Sequence, residues 1–109
     1  MGVILTEAKI DKEEESRFRV SGDMTFATTR KLLADSRALF QKNKNLNLNL
    51  ADVNHADSAG LALVLEWIAE AEQMGGEISI EGMPESLLAI AKLCQMEETL
   101  KSVSDKNQE

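Results

Sequence analysis

Five residues in the middle of the chain restrict its fold more than any others. Leu46-Asn47-Leu48-Asn49-Leu50 alternates strictly between apolar and polar side chains. Successive side chains of a strand point to opposite sides, so this run reads as a strand with one buried face and one wet face. Glu77 to Glu81 repeats the pattern, with Ile78 and Ile80 on one side. Ser16 to Ser21 does so again, with Phe18 and Val20 opposed to Arg17 and Arg19. A parallel sheet covered on both faces would be apolar on both. The alternation therefore predicts a sheet with helices mainly on one face. The other face, carrying Arg17, Arg19, Asn47, Asn49, Glu77, Ser79 and Glu81, is left to water or to a partner.

The segments between these strands supply the rest of the order. Val3 to Ile10 predicts a first strand, joined through the charged turn Asp11 to Glu15 to the second as a hairpin. Gly22-Asp23 breaks the second strand. A helix follows with Phe26, Leu32, Leu33, Leu39 and Phe40 on one broad arc, capped by Asp23 or Thr25 and ended by Gln41 to Asn45. Another helix runs from about Ser58 to Met74 and stops at Gly75-Gly76. Gly82-Met83-Pro84 leads into a third, with Pro84 in the first position, where its missing N–H costs nothing, and Leu87, Ile90, Ala91 and Cys94 on one face. Glu97 to Leu100 reads as a short extra turn. The expected order is β-β-α-β-α-β-α, an α/β domain with a mixed sheet whose later strands are parallel. One domain is expected over residues 1–101, with a polar, disordered tail over 102–109.

Composition narrows the function. The chain has 109 residues, enough for one core. It carries 19 acidic against 12 basic residues, a net charge of −7. That argues against nucleic-acid binding and against charge-driven docking on anionic lipid. Cys94 is the sole cysteine, so no internal disulfide can form, which suits a reducing compartment. The N-terminal sequence reaches acidic residues too early for a secretory leader, and no apolar run approaches a membrane span. Gly2 and Thr6 formally match an acylation pattern, but Val3-Ile4-Leu5 reads better as strand. A cytoplasmic protein without direct membrane insertion is expected.

Few residues offer chemistry. His55, Asp57 and Ser58 have the residue types of a hydrolase triad, yet they lie within four positions in one loop. A triad needs its base held between nucleophile and acid, normally from separate segments. The run Asp52 to Asp57 hints at a calcium loop, but Ala56 and Leu63 stand where ligands are required. Cys94 on an apolar helix face reads as a small buried hydrophobe. The chain has neither a phosphate loop nor a dinucleotide fingerprint. Neither catalysis, a cofactor nor a metal is expected.

The helix from Ser58 carries two apolar stripes when residues are placed at about 100° steps. Leu61, Val64, Leu65, Ile68 and Ala71 form the core stripe. Leu63, Trp67 and Met74 form a second, more than a quarter turn away. This second stripe either meets a neighbouring helix or presents the single tryptophan as an exposed anchor for a partner. At the tip, Asp57 or Ser58 can accept hydrogen bonds from the first free N–H groups of the helix. The same tip follows a strand with parallel neighbours, and such loops form the functional edge of open α/β sheets. A phosphoryl group on Ser58 would be tolerated by its own helix while adding about two negative charges to the surface. Cap and switch are both open on these residues.

The segment Leu46 to Val53, followed by Asp57-Ser58-Ala59-Gly60-Leu61, resembles the STAS domain of sulfate transporters and anti-sigma factor antagonists. Val20 to Met24 resembles that family's second strand and the turn after it, and the likeness extends from about Val3 to Leu100. Two branches compete. In anti-sigma factor antagonists this tip reads Asp-Ser-Ser/Thr-Gly and its first serine is phosphorylated by a partner kinase; Asp57 and Ser58 match. The small cytoplasmic STAS subunit of Mla-type phospholipid ABC transporters is more similar over Gly60 to Leu65 and Leu88 to Leu93. Its usual tip is Asp-Thr-Gly-Gly, so Ser58 replaces threonine and Ala59 replaces glycine; Thr25 stands where aspartate is common. The resemblance implies a non-catalytic accessory subunit. It would bind the transporter's ATPase, lie at the inner membrane through that partner, and support lipid transport and outer-membrane lipid asymmetry. The alternative it implies is an antagonist switched at Ser58 by an anti-sigma factor kinase. Under either reading, the expected contact or regulatory residues are Asp57, Ser58, Ala59, Gly60, Leu63, Trp67 and Met74.

Overall fold

Phe18, Leu48 and Ile80 sit side by side across the sheet, and so do Arg17, Asn47 and Ser79. Those two rows are the apolar and polar halves of the alternation, now in register. The computed structural model describes residues 7–41 and 43–104. The elements are β1 (Ala8–Glu14), β2 (Arg17–Met24), α1 (Thr29–Phe40), β3 (Leu46–Ala56), α2 (Ser58–Gln73), β4 (Ile78–Glu81), α3 (Glu85–Leu93) and α4 (Glu97–Val103). The four strands lie in sequence order in one sheet. β1 and β2 are antiparallel, while β2, β3 and β4 are parallel.

The helices cover the face that carries Phe18, Val20, Leu48, Leu50, Ile78 and Ile80. They contribute Leu32, Leu61, Val64, Leu87 and Leu100 to a single buried cluster. Each such side chain withdrawn from water contributes about 1.5–3 kcal/mol, which is what holds the helical layer to the sheet. The opposite face is polar and internally paired. Arg17 meets Glu81 at 3.4 Å, Arg19 meets Glu13 at 2.7 Å and Asp52 at 2.9 Å, and Asn47 Nδ2 donates to Ser79 Oγ at 3.1 Å. The arginines expected on an open face are thus engaged by acids of their own sheet.

Several boundaries differ from expectation. The charged run Asp11 to Glu14 is strand, and the turn is only Glu15-Ser16. Ile10, paired with Val20, is the one fully buried residue of β1, with Ala8 half-buried against the core, and the charged remainder of the strand shows no apolar alternation. Val3 to Thr6 lie outside the described residues. β2 continues through Gly22-Asp23 to Met24 instead of breaking there, because Gly22 adopts a φ of 92° at an irregularity in the register. A Cβ at Gly22 would lie 2.0 Å from the Glu7 carbonyl oxygen, so only glycine fits this crossing.

α1 begins at Thr29, later than its apolar arc suggests. Phe26 is not on the helix, and neither Asp23 nor Thr25 caps it with a side chain. Pro84 takes the cap position, one residue before the helical stretch of α3. Cys94 is exposed rather than buried, because α3 ends at Leu93 and releases it from the apolar face. α4 reaches Val103, and Ser104 makes a parallel bridge to Ile80; residues 102–104, expected in a polar tail, are tied to the domain.

Candidate functional site

Because β2, β3 and β4 run the same way, the loops that follow them emerge at one end of the sheet. Two are tied directly together. Met24 closes β2, Ala56 closes β3, and the two are register partners. The Asp57 N–H donates to the Met24 carbonyl at 3.2 Å. Asp57 then uses both carboxylate oxygens. Oδ1 accepts from the N–H groups of Ala59 at 2.8 Å and Gly60 at 3.2 Å, which caps α2. Oδ2 accepts from the Phe26 N–H at 3.1 Å, a residue in the β2–α1 turn.

Gly60 is buried in this junction. A Cβ there would lie 2.4 Å from the Met24 carbonyl oxygen. The missing side chain is what lets α2 seat against the end of β2. Ser58 is the first helical residue and is exposed, and no hydrogen bond among the described residues engages its hydroxyl. Ala59 is half-buried beside it. On the other side of β3, the Ala56 N–H donates to Ser86 Oγ at 2.9 Å, which fixes the start of α3 to the same edge.

The turn that carries Phe26 is held from within as well. Thr28 is buried; its hydroxyl donates to the Asp23 carbonyl at 2.6 Å and accepts from the Thr25 N–H at 3.0 Å. The N–H groups of Thr28 and Thr29 both reach the Thr25 carbonyl at 2.9 Å. Phe26 projects from this closed turn with 87% of its surface exposed. A single exposed apolar side chain is ordinary on a protein surface, and Leu93 is 84% exposed as well. What sets Phe26 apart is its place, in a turn hydrogen-bonded to the tip of α2.

Asp57 is charged at neutral pH for identifiable reasons. Burial pushes its carboxyl pKa upward, but the N–H groups of Phe26, Gly60 and Ala59, with the charge of His55, outweigh burial and hold it below the ordinary carboxylate value. The folded state therefore binds the proton less tightly than the unfolded chain. Asp57's stabilisation is complete above the unfolded pKa and is lost as pH falls through the lowered folded value. We expect Asp57→Ala to cost about 0.5–2 kcal/mol at neutral pH. Urea unfolding of both proteins at successively lower pH should show that gap narrowing. A gap constant from neutral to strongly acidic pH would contradict the role of the charge.

The geometry sorts the expected site residues into two groups. Asp57, Ser58, Ala59 and Gly60 lie together at the sheet edge. Leu63 and Trp67 do not form an exposed stripe with them: they are 4% and 1% exposed. Trp67 lies between α2 and α1, where its Nε1–H donates to Ser36 Oγ at 2.8 Å and its ring meets Phe40 edge-on at 6.2 Å between centroids. That is the neighbouring-helix alternative, and it removes Trp67 as a surface anchor. Met74 is partly exposed, but at the opposite end of α2 from the tip. Phe26 is the residue that helical periodicity misplaces. The signal for its true position was the cluster Thr25, Thr28 and Thr29, residues that favour caps and turns over helix interior and so delay the helix past Phe26.

His55, Asp57 and Ser58 form no relay, since the Asp57 oxygens are occupied by backbone donors. Among the described residues, no three His, Cys, Asp or Glu side chains converge as a metal site. No helix described is long and apolar enough to cross a membrane.

Solved structures share this architecture. The anti-sigma factor antagonist SpoIIAA in its unphosphorylated form matches with a TM-score of 0.68 at 12% identity, over 91% of this chain and 86% of that one. A Thermotoga maritima protein provisionally described as an anti-sigma factor antagonist matches with a TM-score of 0.70 at 15% identity, over 87% and 84%. The murine anion transporter solute carrier 26 family member A9, in its inward-facing state, matches at 0.68 and 15% identity over 85% of this chain, which spans only 16% of the transporter's length. At these identities the likeness is one of fold. Residues 9–102 match the model of the family described as "Mlab, STAS domain". With that match over nearly the whole chain, and the fold beneath it, the protein belongs to the Mlab STAS domain family.

Proposed function

We propose that this chain is an accessory subunit that binds the cytoplasmic ATPase of an Mla-type ABC transporter and so supports phospholipid transport. In this reading it has no catalysis of its own and lies at the inner membrane through its partner. The observation that carries the reading is Phe26, exposed in the turn whose N–H is bonded to Asp57, the residue before Ser58, where the loops after β2 and β3 meet. The family match to an Mlab domain points to this partner class. The contact is assigned to Phe26, Ser58 and Ala59, with Asp57 and Gly60 beneath them shaping the tip, and Phe26 takes the anchoring role that the sequence alone leaves open to Trp67.

Calorimetric titration of the purified ATPase tests this. Phe26→Ala should weaken binding by about 2 kcal/mol, roughly 30-fold in Kd, the usual cost of removing a central aromatic anchor. Ser58→Glu should weaken it as well, because its charge would have to be covered by the partner while its own helix tolerates it. Native-like circular dichroism with unchanged Kd in both variants would overturn the proposal. A second reading, an antagonist switched by phosphorylation, is favoured by the exposed, unengaged Ser58 hydroxyl. It requires a single phosphate on Ser58 after incubation with ATP and a cognate kinase, read by mass spectrometry.

A further inference from the structure

Asp57 serves two elements with one carboxylate, and capping explains only half of it. Oδ1 satisfies the first free N–H groups of α2; Oδ2 reaches across 31 positions of sequence to the N–H of Phe26. Phe26 already sits in a turn closed from inside by the Thr28 hydroxyl. The bond to Asp57 is the one side-chain link described between that turn and the α2 tip. We propose that Asp57 is a positioning residue: it fixes the Phe26 turn to the tip of α2, so that the aromatic ring and the Ser58 surface are presented as one rigid unit. The consequence for binding rests on the docking role given to this edge above. A contact surface ordered in advance loses less freedom on association, so affinity depends on Asp57 even where Asp57 touches no partner.

Two variants separate the two oxygens. Asp57→Ser keeps a capping oxygen of comparable strength but is too short to reach Phe26 as well. Asp57→Asn can keep Oδ1 on Ala59 and Gly60, but then turns an amide donor toward the Phe26 N–H. Both should unfold above Asp57→Ala because the capping oxygen is kept, and below wild type because the charge and the Phe26 bond are lost. In both, hydrogen exchange of the Phe26 amide should accelerate at least tenfold, while the Ala59 and Gly60 amides stay within a few-fold of wild type. Unchanged Phe26 exchange in both variants overturns the proposal without reference to any partner.

Titration with the purified ATPase supplies the second arm. Each variant should weaken binding 3- to 10-fold when Phe26 is present and leave it unchanged in a Phe26→Ala background. Equal losses in the two backgrounds would show that Asp57 acts without Phe26 and would overturn the coupling. If Phe26→Ala alone leaves the affinity intact, the docking reading fails, and the exchange result still decides whether Asp57 holds the turn.

Discussion

Trp67→Ala should destabilise the isolated domain by about 3–5 kcal/mol, the range for removing a fully buried large aromatic side chain. The side chain is 1% exposed, and it joins α1 to α2 through both a ring contact and a hydrogen bond. Phe18 packs on Phe40 with the rings tilted by 60° and 4.9 Å between centroids, so the cavity would open beside an aromatic row running from β2 to α2. Domains of this kind hold roughly 5–15 kcal/mol in total, so the variant would sit near its folding threshold. Trp67→Phe should cost much less. It keeps most of the ring and loses the donor to Ser36 Oγ, a neutral hydrogen bond with a net worth of about 1 kcal/mol. Urea unfolding without any partner reads both values. A loss below about 1 kcal/mol for Trp67→Ala would mean the indole is not in the core. The experiment also separates the two roles open to this tryptophan from sequence, since an exposed anchor would leave stability untouched.

Gly60→Val should be the second severe change, for a steric reason. Its Cβ would enter 2.4 Å from the Met24 carbonyl oxygen and 3.1 Å from the Ala56 and Met24 Cβ atoms, all part of a solvent-free junction. Helix propensity alone would favour the substitution by a few tenths of a kcal/mol, since glycine is the weaker helix former. Overpacking against backbone costs about 1–3 kcal/mol or more and decides the outcome. Relief requires α2 to lift from β2, which also lengthens the bond from the Asp57 N–H to Met24. Gly75→Val makes a useful contrast: Gly75 has a φ of 76°, but a Cβ there would meet no atom within 4 Å, so only conformational strain is at stake. Thermal unfolding should rank Gly60→Val well below Gly75→Val. The reverse order would contradict the close approach of α2 to β2.

The sequence carried the architecture because the strands alternate. Leu46 to Leu50 and Ile78 to Ile80 revealed which face is buried, and the register places Phe18, Leu48 and Ile80 in one row as that pattern requires. The extent of β1 was not legible, because a strand with one core residue and several charges has no pattern to read. At the site, Asp57 to Gly60 were legible as a polar tip before an apolar helix. The exchange of roles between Phe26 and Trp67 was not. A helical wheel shows that Trp67 lies off the centre of one stripe, but it does not show that α1 covers it. Nor does an apolar residue near a helix start reveal that it belongs to the preceding turn. Both features depend on contacts between segments far apart in the chain, Trp67 with Ser36 and Phe26 with Asp57, which local periodicity does not encode.

The two margins of the sheet differ in how they resist unwanted growth. β1 ends the sheet on one side with Lys9, Asp11, Lys12, Glu13 and Glu14, charges that discourage pairing with a strand from another molecule. On the other side β4 is only four residues long, and Ser104 returns to occupy part of its outer edge. Among the described residues, a second chain therefore finds no long, uncharged edge strand on which to template. Charge on one margin and shortness on the other thus work against fibrous self-addition of the domain.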